Sequence, residues 1–508
     1  MQELRSYVCG RWVAGKGAPQ TLVNPATEEP LASASSEGVD LGAALEYARA
    51  TGGPALRALS FAARGALLKG IADAMQASRD ELIELGIRNG GNTRSDAKFD
   101  VDGAIGTLLA YSETGASLGI TRFLLDGEGI QLGRSPRFHG QHLLMPRRGA
   151  AVHVNAFNFP AWGFAEKAAV ALLAGMPVLS KPATSSALLA HRIVERVVEK
   201  NLLPPGALSL LVGAPRDLVE RLGAQDVLAF TGSGDTGERI RALPNVIRHS
   251  VRVNVEADSL NAAVLGPDVA PRSDMYELFL KEVVRDMTQK AGQKCTAIRR
   301  LVVPAAAAGE VRSDLAELLA AITVGDPMKE ETKMGPLATA SQLAEARKGI
   351  ERLGGRVAFG EPGKAPGKGF FLSPVLIEDP GPAVHEHEVF GPVASLITYA
   401  ENPGAIVARG NGGLVCSIYS EDQAFIEETV AEVAPYHGRI YLGHPKIELS
   451  PGPGTVLPQL VHGGPGRAGG GEELGGARGL AFYLQRTALQ GSRPVIAKIT
   501  GSKPTQEG

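Results

Sequence analysis

The chain has 508 residues, a formal net charge of −2, 44% hydrophobic residues and 21% charged residues. That balance excludes wholesale disorder, which needs low hydrophobicity and high net charge. With near-neutrality there is no global positive field to displace phosphate counterions, so no nucleic-acid partner is expected. At roughly 100–200 residues per domain, the length predicts two to four structural units with substantial cores.

Residues 41–125 carry apolar side chains at helical spacing, with helices expected over 57–75 and 78–85. Residues 126–147 contain Gly127, Gly129, Gly133, Pro136 and Gly140 and read as an extended excursion or hairpin. From Gly149 the texture alternates. Strands are expected at 150–155, from 178, at 208–212 and at 227–231, with helices at 160–174, 186–200 and 216–222. Strands alternating with helices imply βαβ units and a parallel sheet, a doubly wound α/β domain of the kind that hosts nucleotide cofactors. A second α/β unit covers about 253–445, with strands at 262–265 and 300–303, helices at 274–291 and 311–321, and a loop at 360–369. Residues 462–479 hold nine glycines. A flexible linker would explain them. The interruption by Arg467, Glu472 and Glu473, and the amphipathic stretch 479–489 that follows, favour an ordered loop near a ligand, because glycine serves where backbone approaches closely.

Three cysteines, Cys9, Cys295 and Cys416, are too scattered for a CxxC metal or redox pair, and their odd count leaves a free thiol. Sparse cysteine suits a reducing cytoplasm. Met1–Arg5 begins no secretory signal, and the most apolar run, 168–179, is broken by Gly175 and Pro177 and is too short to span a bilayer. The expectation is a cytoplasmic protein with no membrane partner and no bound metal.

Several short motifs sit at strand ends. Gly232-Ser233-Gly234-Asp235-Thr236-Gly237 matches G-x-G-x-x-G after a strand and before a helix, where backbone can approach a pyrophosphate at a helix N-terminus. Glu256 lies near the spacing at which that fingerprint places a ribose-binding acid, although the motif comes late in the chain. Cys295 follows a long helix in GQKC. A lone cysteine is ordinarily a small buried hydrophobe, the reading given to Cys9 and Cys416. At Cys295, Lys294 and Gly292 suggest a tight turn and a positive field that favours thiolate. None of the ten histidines carries a thiol-hydrolase signature. A cysteine without a histidine suits attack on an aldehyde, where the leaving group is hydride. Asn158 is either a helix N-cap or an oxyanion donor. Lys181 ends a strand at the sheet edge where nucleotides bind.

Together these residues resemble the aldehyde dehydrogenase superfamily from about Tyr7 to Leu489. The motifs are NFP (158–160), KPAT (181–184), FTGSGDTG (230–237), GQKC (292–295), VGDP (324–327), EVFGP (388–392) and GGGEELG (469–475). The resemblance implies an α/β fold with a Rossmann-type cofactor domain (1–125 and 148–252), an α/β catalytic domain (253–450), a small β oligomerisation arm (126–147 and 479–500) and an active-site-facing glycine-rich loop (451–478). It implies a homodimer or higher homo-oligomer acting on a small-molecule substrate. It also implies roles. Cys295 is the nucleophile, Asn158 and the Cys295 N–H form the oxyanion hole, Glu256 activates water, and Lys167 belongs to a proton relay. Lys181 and Thr184 contact the cofactor ribose; Gly232, Ser233 and Gly237 face the pyrophosphate; Glu388 and Phe390 face the nicotinamide end.

Two departures from the family pattern matter. Members that prefer NAD often carry Glu after the KPA triplet. Here Thr184 stands there, and a hydroxyl can donate to a 2′-phosphate that a carboxylate would repel, so NADP is the expected cofactor, with NAD possible. Aligning on Ser259-Leu260-Asn261 puts Asn254, not Glu256, at the usual base position, and Glu473, which by the resemblance matches another carboxylate of the family, is the alternative base. If neither carboxylate reached the thioester, coenzyme A would be the acceptor. A nucleotide-independent cysteine acyl-transferase is a further alternative and requires a His beside Cys295. The segments NAFNFP, NVEADSLN, KCTAIRR and HGGPGRAGGGEELGG resemble a narrower group, the ring-cleavage semialdehyde dehydrogenases of aerobic CoA-dependent aromatic degradation. One branch of that group is often fused to a hydratase domain, and the chain's end at Gly508 favours the standalone branch. The implied substrate is a CoA-thioester semialdehyde oxidised to the acid.

Overall fold

The structure, a computed structural model, describes residues 1–363, 367–447 and 450–501. Part of the loop expected at 360–369 therefore lies outside the described residues.

The strands Ala151–Val154, Val178–Lys181, Leu208–Leu210, Val227–Thr231 and Arg252–Glu256 are short and rich in Val, Leu and Ala. Near-continuous apolar runs suit parallel strands covered on both faces. They pair in parallel in the order Arg252–Glu256, Val227–Thr231, Ala151–Val154, Val178–Lys181, Leu208–Leu210, and the N-terminal strands Ser6–Val8 and Arg11–Val13 extend the edge antiparallel. One face is covered by the helices Phe61–Ala77, Arg94–Leu118 and Trp162–Ala174. The first two start where Ser60 and Thr93 accept backbone N–H bonds as N-caps. The helix expected at 216–222 is only a single turn, Val219–Arg221. Arg216 takes a left-handed φ of 50° and donates to the carbonyls of Ser36 and Val39, which ties the chain down before a helix can start.

The second sheet runs Arg356–Phe359, Val375–Glu378, Val393–Tyr399, Arg300–Pro304, Ala262–Leu265, Gly413–Tyr419, His437–Gly443, parallel except at its first pair. A third, antiparallel sheet joins Leu124–Gln131, Phe138–Pro146 and Leu484–Ser492, so residues 126–147 form a hairpin and part of the amphipathic 479–489 stretch is its third strand. The glycine-rich 462–479 segment begins as an ordered hairpin, Val461–Gly464 against Gly471–Leu474. Among the described residues no helix is long and apolar enough to cross a membrane.

Candidate active site

In the first sheet the chain steps from Ala151–Val154 outward to Leu208–Leu210 on one side, then returns to place Val227–Thr231 and Arg252–Glu256 on the other. Strand order thus reverses between Ala151–Val154 and Val227–Thr231, and the carboxyl ends of such strands open the crevice where doubly wound sheets take ligands. Asn155–Phe159 leave one of these strands and Thr231–Gly237 the other. Glu256 and Lys181 end the flanking strands.

Cys295 comes to this crevice from the second unit. The helix Asp274–Thr288 stops three residues earlier than expected. Lys290 and Ala291 then adopt φ of 54° and 53°, and Gly292 follows at 68°. Left-handed backbone at non-glycine residues costs on the order of 1–3 kcal/mol and marks sites that the surroundings hold in place. At Gly292 a Cβ would overlap the Gly391 carbonyl oxygen, so only glycine fits. Beyond it the cysteine turn is fixed by side chains. Asn261 Nδ2 donates to the carbonyls of Cys295 (2.8 Å) and Ala297 (2.9 Å), Arg299 to that of Lys294 (3.1 Å), and Thr296 Oγ1 to that of Gly454 (2.8 Å).

The thiol faces a small cavity whose walls include Asn158, Phe159, Trp162, Glu166, Lys167, Thr231, Glu256 and His462. Asn158 Nδ2 donates to the Gln293 carbonyl (3.1 Å). This holds the amide against the cysteine turn, with a second N–H to offer. Glu256 ends its strand on the same face as Asn254, two residues back. Asn254 donates to Glu473 Oε1 (3.0 Å), whereas Glu256 lies against the thiol. The displaced carboxylate is therefore the one beside Cys295, and it faces that thiol instead of a ribose.

Two expectations are corrected here. Lys294 supplies no positive field to the thiol: its Nζ donates to Asp286 (2.8 Å) and Gln289 (2.9 Å) and is neutralised there. Cys295 also has a histidine partner. His462 Nε2 lies 3.7 Å from Sγ and 3.2 Å from Glu256 Oε1. The signal that would have found it is strand register. His462 sits directly opposite Glu473 in the antiparallel hairpin, and directly opposed residues share a face. Burial pushes the Cys295 thiol up to about 11, the Glu256 charge adds to this, and His462 opposes both. Burial alone would raise the Glu256 carboxyl as well; His462, helped by Lys167, holds it down at about 2. Thr231 Oγ1 donates to its other oxygen (3.3 Å).

A second cluster adjoins the first. Lys167 Nζ bridges Glu166 Oε1 (3.0 Å) and Glu473 Oε2 (3.1 Å) with its side chain 1% exposed. Burial raises Glu473 to about 7 against the pull of Lys167. Sequence reasoning named Lys167 and Glu473 but missed Glu166.

Lys181 is buried and has no ion-pair partner among the described residues; burial lowers it to about 8. Thr184, also buried, opens the short turn Thr184–Ser186. Ser233 is the N-cap position of Gly234–Arg241, and Gly237 packs that helix on Val255. Gly232 is held by its N–H donating to the Glu256 carbonyl (3.1 Å). Gly234 N–H is already engaged by Asp258 (3.1 Å), so a pyrophosphate there would compete with a carboxylate. Glu388 accepts from Arg299 (3.1 Å) and from Ser259 N–H (2.9 Å), and burial raises it to about 7. Phe390 stacks edge-on against Phe157. Of the remaining cysteines, Cys416 is buried with its thiol pushed up to about 12. Cys9, contrary to its expected packing role, is half-buried in a turn at φ 51°.

Comparison with known proteins agrees with this architecture. The family model described as "Aldehyde dehydrogenase family" matches residues 12–489. A 3,4-dehydroadipyl-CoA semialdehyde dehydrogenase of Aromatoleum evansii is 46% identical over 91% of this chain and 93% of its own length. Protein MaoC of Klebsiella aerogenes is 41% identical over 33% of this chain and 52% of its own length. Among solved structures, lactaldehyde dehydrogenase from Escherichia coli superposes with a TM-score of 0.84 at 24% identity, covering 96% of this chain and 99% of that one. A betaine aldehyde dehydrogenase of Staphylococcus aureus in complex with NAD+ superposes at 0.85 and 20% identity over the full length of both. At those identities the likeness shows the fold alone.

Proposed function

The chain belongs to the aldehyde dehydrogenase family, and from that premise we propose that it oxidises a CoA-linked semialdehyde to the carboxylic acid with NADP. The convergence of Cys295, Asn158 and Glu256 on one cavity carries the reading. The cofactor, when bound, accepts a hydride. The buried, unpaired Lys181 beside Thr184 fits a phosphorylated ribose, since an ammonium stripped of water and of counter-charge is stabilised by an anion.

The Cys295 sulfur bonds to the aldehyde carbon, and the carbonyl π pair moves to oxygen, where Asn158 Nδ2 donates to the developing anion. Hydride leaves that carbon, the oxygen pair returns and a thioester remains on Cys295. Water then adds to the thioester and its proton passes to Glu256; the carbon–sulfur bond breaks and the acid departs. The contact between Glu256 and the thiol favours water over coenzyme A as the acceptor.

The CoA-linked substrate is supported by the relative's activity and by a second, open cavity, which shares Phe99, Trp162, Gly454 and Val456 with the first and carries Lys98 and Arg285. Lys98 is exposed and has no ion-pair partner among the described residues. Beside the first cavity, a vestibule with one exposed, unpaired lysine suits a pantetheine arm that ends in phosphates. The histidine beside Cys295 favours one rival, acyl transfer without nucleotide. Both contacts, however, fall on the same nitrogen, Nε2, so no carboxylate–imidazole–thiol relay is built. The test is NADP and NAD reduction with free and CoA-linked semialdehydes, with Cys295→Ala as control. Activity surviving in that variant, or acid formed without reduced cofactor, would refute the reading. A kcat/KM ratio of NADP to NAD well below one would refute the cofactor assignment alone.

A further inference from the structure

We propose that His462 is a catalytic residue of this reaction, the cation that stabilises the Cys295 thiolate for attack on the aldehyde. The inference rests on the proposed chemistry at Cys295 but adds a residue that neither the local motifs nor the expected roles contain. His462 is 5% exposed, and its Nε2 lies 3.7 Å from Sγ and 3.2 Å from Glu256 Oε1. The Glu256 contact is an ion-pair approach without an aligned hydrogen bond. A proton on Nε2 therefore lies between two groups that both gain from a positive charge.

Four elements around the imidazole carry ionisable groups that face it. Glu256 ends its strand on one side, Cys295 sits on its turn, Glu473 stands across the hairpin, and Glu166 and Lys167 come from the helix Trp162–Ala174. Arg439 lies near Cys295 with its guanidinium donating to the carbonyls of Thr455 and Pro453. Burial disfavours an imidazolium here, but Glu256 overrides it and holds His462 well above the usual histidine range, with Cys295 adding to the effect. Lys294, the other cation near the thiol in sequence, is neutralised by Asp286. His462 is thus the cation in direct contact with the thiol, placed to offset a thiolate that burial and Glu256 both resist, with Arg439 behind it.

In the resting cluster Glu256 is a carboxylate, His462 an imidazolium and Cys295 a thiol. Loss of the Sγ proton to solvent leaves a thiolate paired with the imidazolium. Carbon–sulfur bond formation consumes that thiolate, and the proton returns to sulfur when water releases the acid. His462 keeps its proton throughout, so its role is charge, and a neutral side chain of similar shape cannot replace it.

The test is the pH dependence of Cys295 alkylation by iodoacetamide in the full chain, with Cys295→Ala subtracted as the background from Cys9. In His462→Gln, which keeps an N–H donor but no charge, the alkylation midpoint should move up by at least about one pH unit, a tenfold slower reaction at fixed pH below it. His462→Phe should show the same shift. Binding of NADP by each variant serves as the check on folding. A wild-type midpoint in both variants, with cofactor binding intact, would overturn the proposal. Loss of aldehyde oxidation with the shifted midpoint supports it, whereas a wild type that alkylates normally but oxidises no aldehyde would instead refute the proposed function.

Discussion

Two buried lysines at the crevice, Lys167 and Lys181, meet opposite fates. Lys167 lies between Glu166 and Glu473, and although burial works against its charge, the two carboxylates hold it well above the ordinary lysine range. Lys181 has no ion-pair partner among the described residues, and burial takes it down to about 8. The same side chain at similar burial thus serves as a fixed component of a charge cluster in one half of the crevice. In the other half it is an uncompensated cation suited to a ligand's phosphate. The contrast sets a lysine whose charge is satisfied within the protein against one left without an ion-pair partner among the described residues.

Four substitutions and titrations would sharpen or break that contrast. The largest effect belongs to Lys167→Met. It leaves Glu166 and Glu473 buried together without a cation, and should lower stability to denaturant by about 3–5 kcal/mol, the usual result of breaking a buried pair from one side. A loss within 1 kcal/mol of zero would mean that the two carboxylates are already neutral or solvated. Next, Thr184→Glu places a carboxylate where a 2′-phosphate is proposed. The NADP to NAD ratio of kcat/KM should fall about 100-fold, since like-charge contact costs several kcal/mol. An unchanged ratio would move the phosphate elsewhere.

The third is a pH profile. Glu473, raised to about 7, holds its proton below that pH and cannot accept another, so a step that uses it slows as pH falls, by about tenfold per unit. Glu473→Gln should erase that acid limb of kcat. A limb that persists belongs to another group. The smallest effect is on the cofactor side. Below about 8 Lys181 is an ammonium and attracts phosphate; above it the side chain becomes neutral. The KM for NADP should therefore rise with pH above 8, by at most about tenfold per unit, and Lys181→Gln should flatten the rise.

The contrast also explains what could be read from the sequence. Cys295, Asn158, Glu256 and Lys181 each sit in a short motif at the end of a strand or helix, where residue type and local spacing suffice to locate them. The apolar runs that mark the parallel strands are equally local: the expected strands 227–231 and 262–265 match the observed bounds. His462 and Glu166 belong to no such motif. His462 reaches the thiol through the register of a hairpin, with its partner eleven positions away. Glu166 matters only because the fold brings Glu473 to the same ammonium. Lys294 shows the converse error: adjacent to the cysteine in sequence, it is bound to Asp286, eight residues back on the preceding helix. Adjacency gives the atoms that are near along the chain, whereas the field at a buried thiol is set by whatever packing brings alongside it.

The central claim is oxidation through a thioester on Cys295 that Glu256 lets water cleave, and rapid mixing of Glu256→Gln with CoA semialdehyde and NADP tests it most directly. The account predicts a burst of one reduced cofactor per Cys295, followed by a steady rate lower by about 10²–10⁴-fold, with the acyl group found on Cys295 by mass spectrometry. Full steady turnover in that variant, or a burst with no adduct on Cys295, would contradict it.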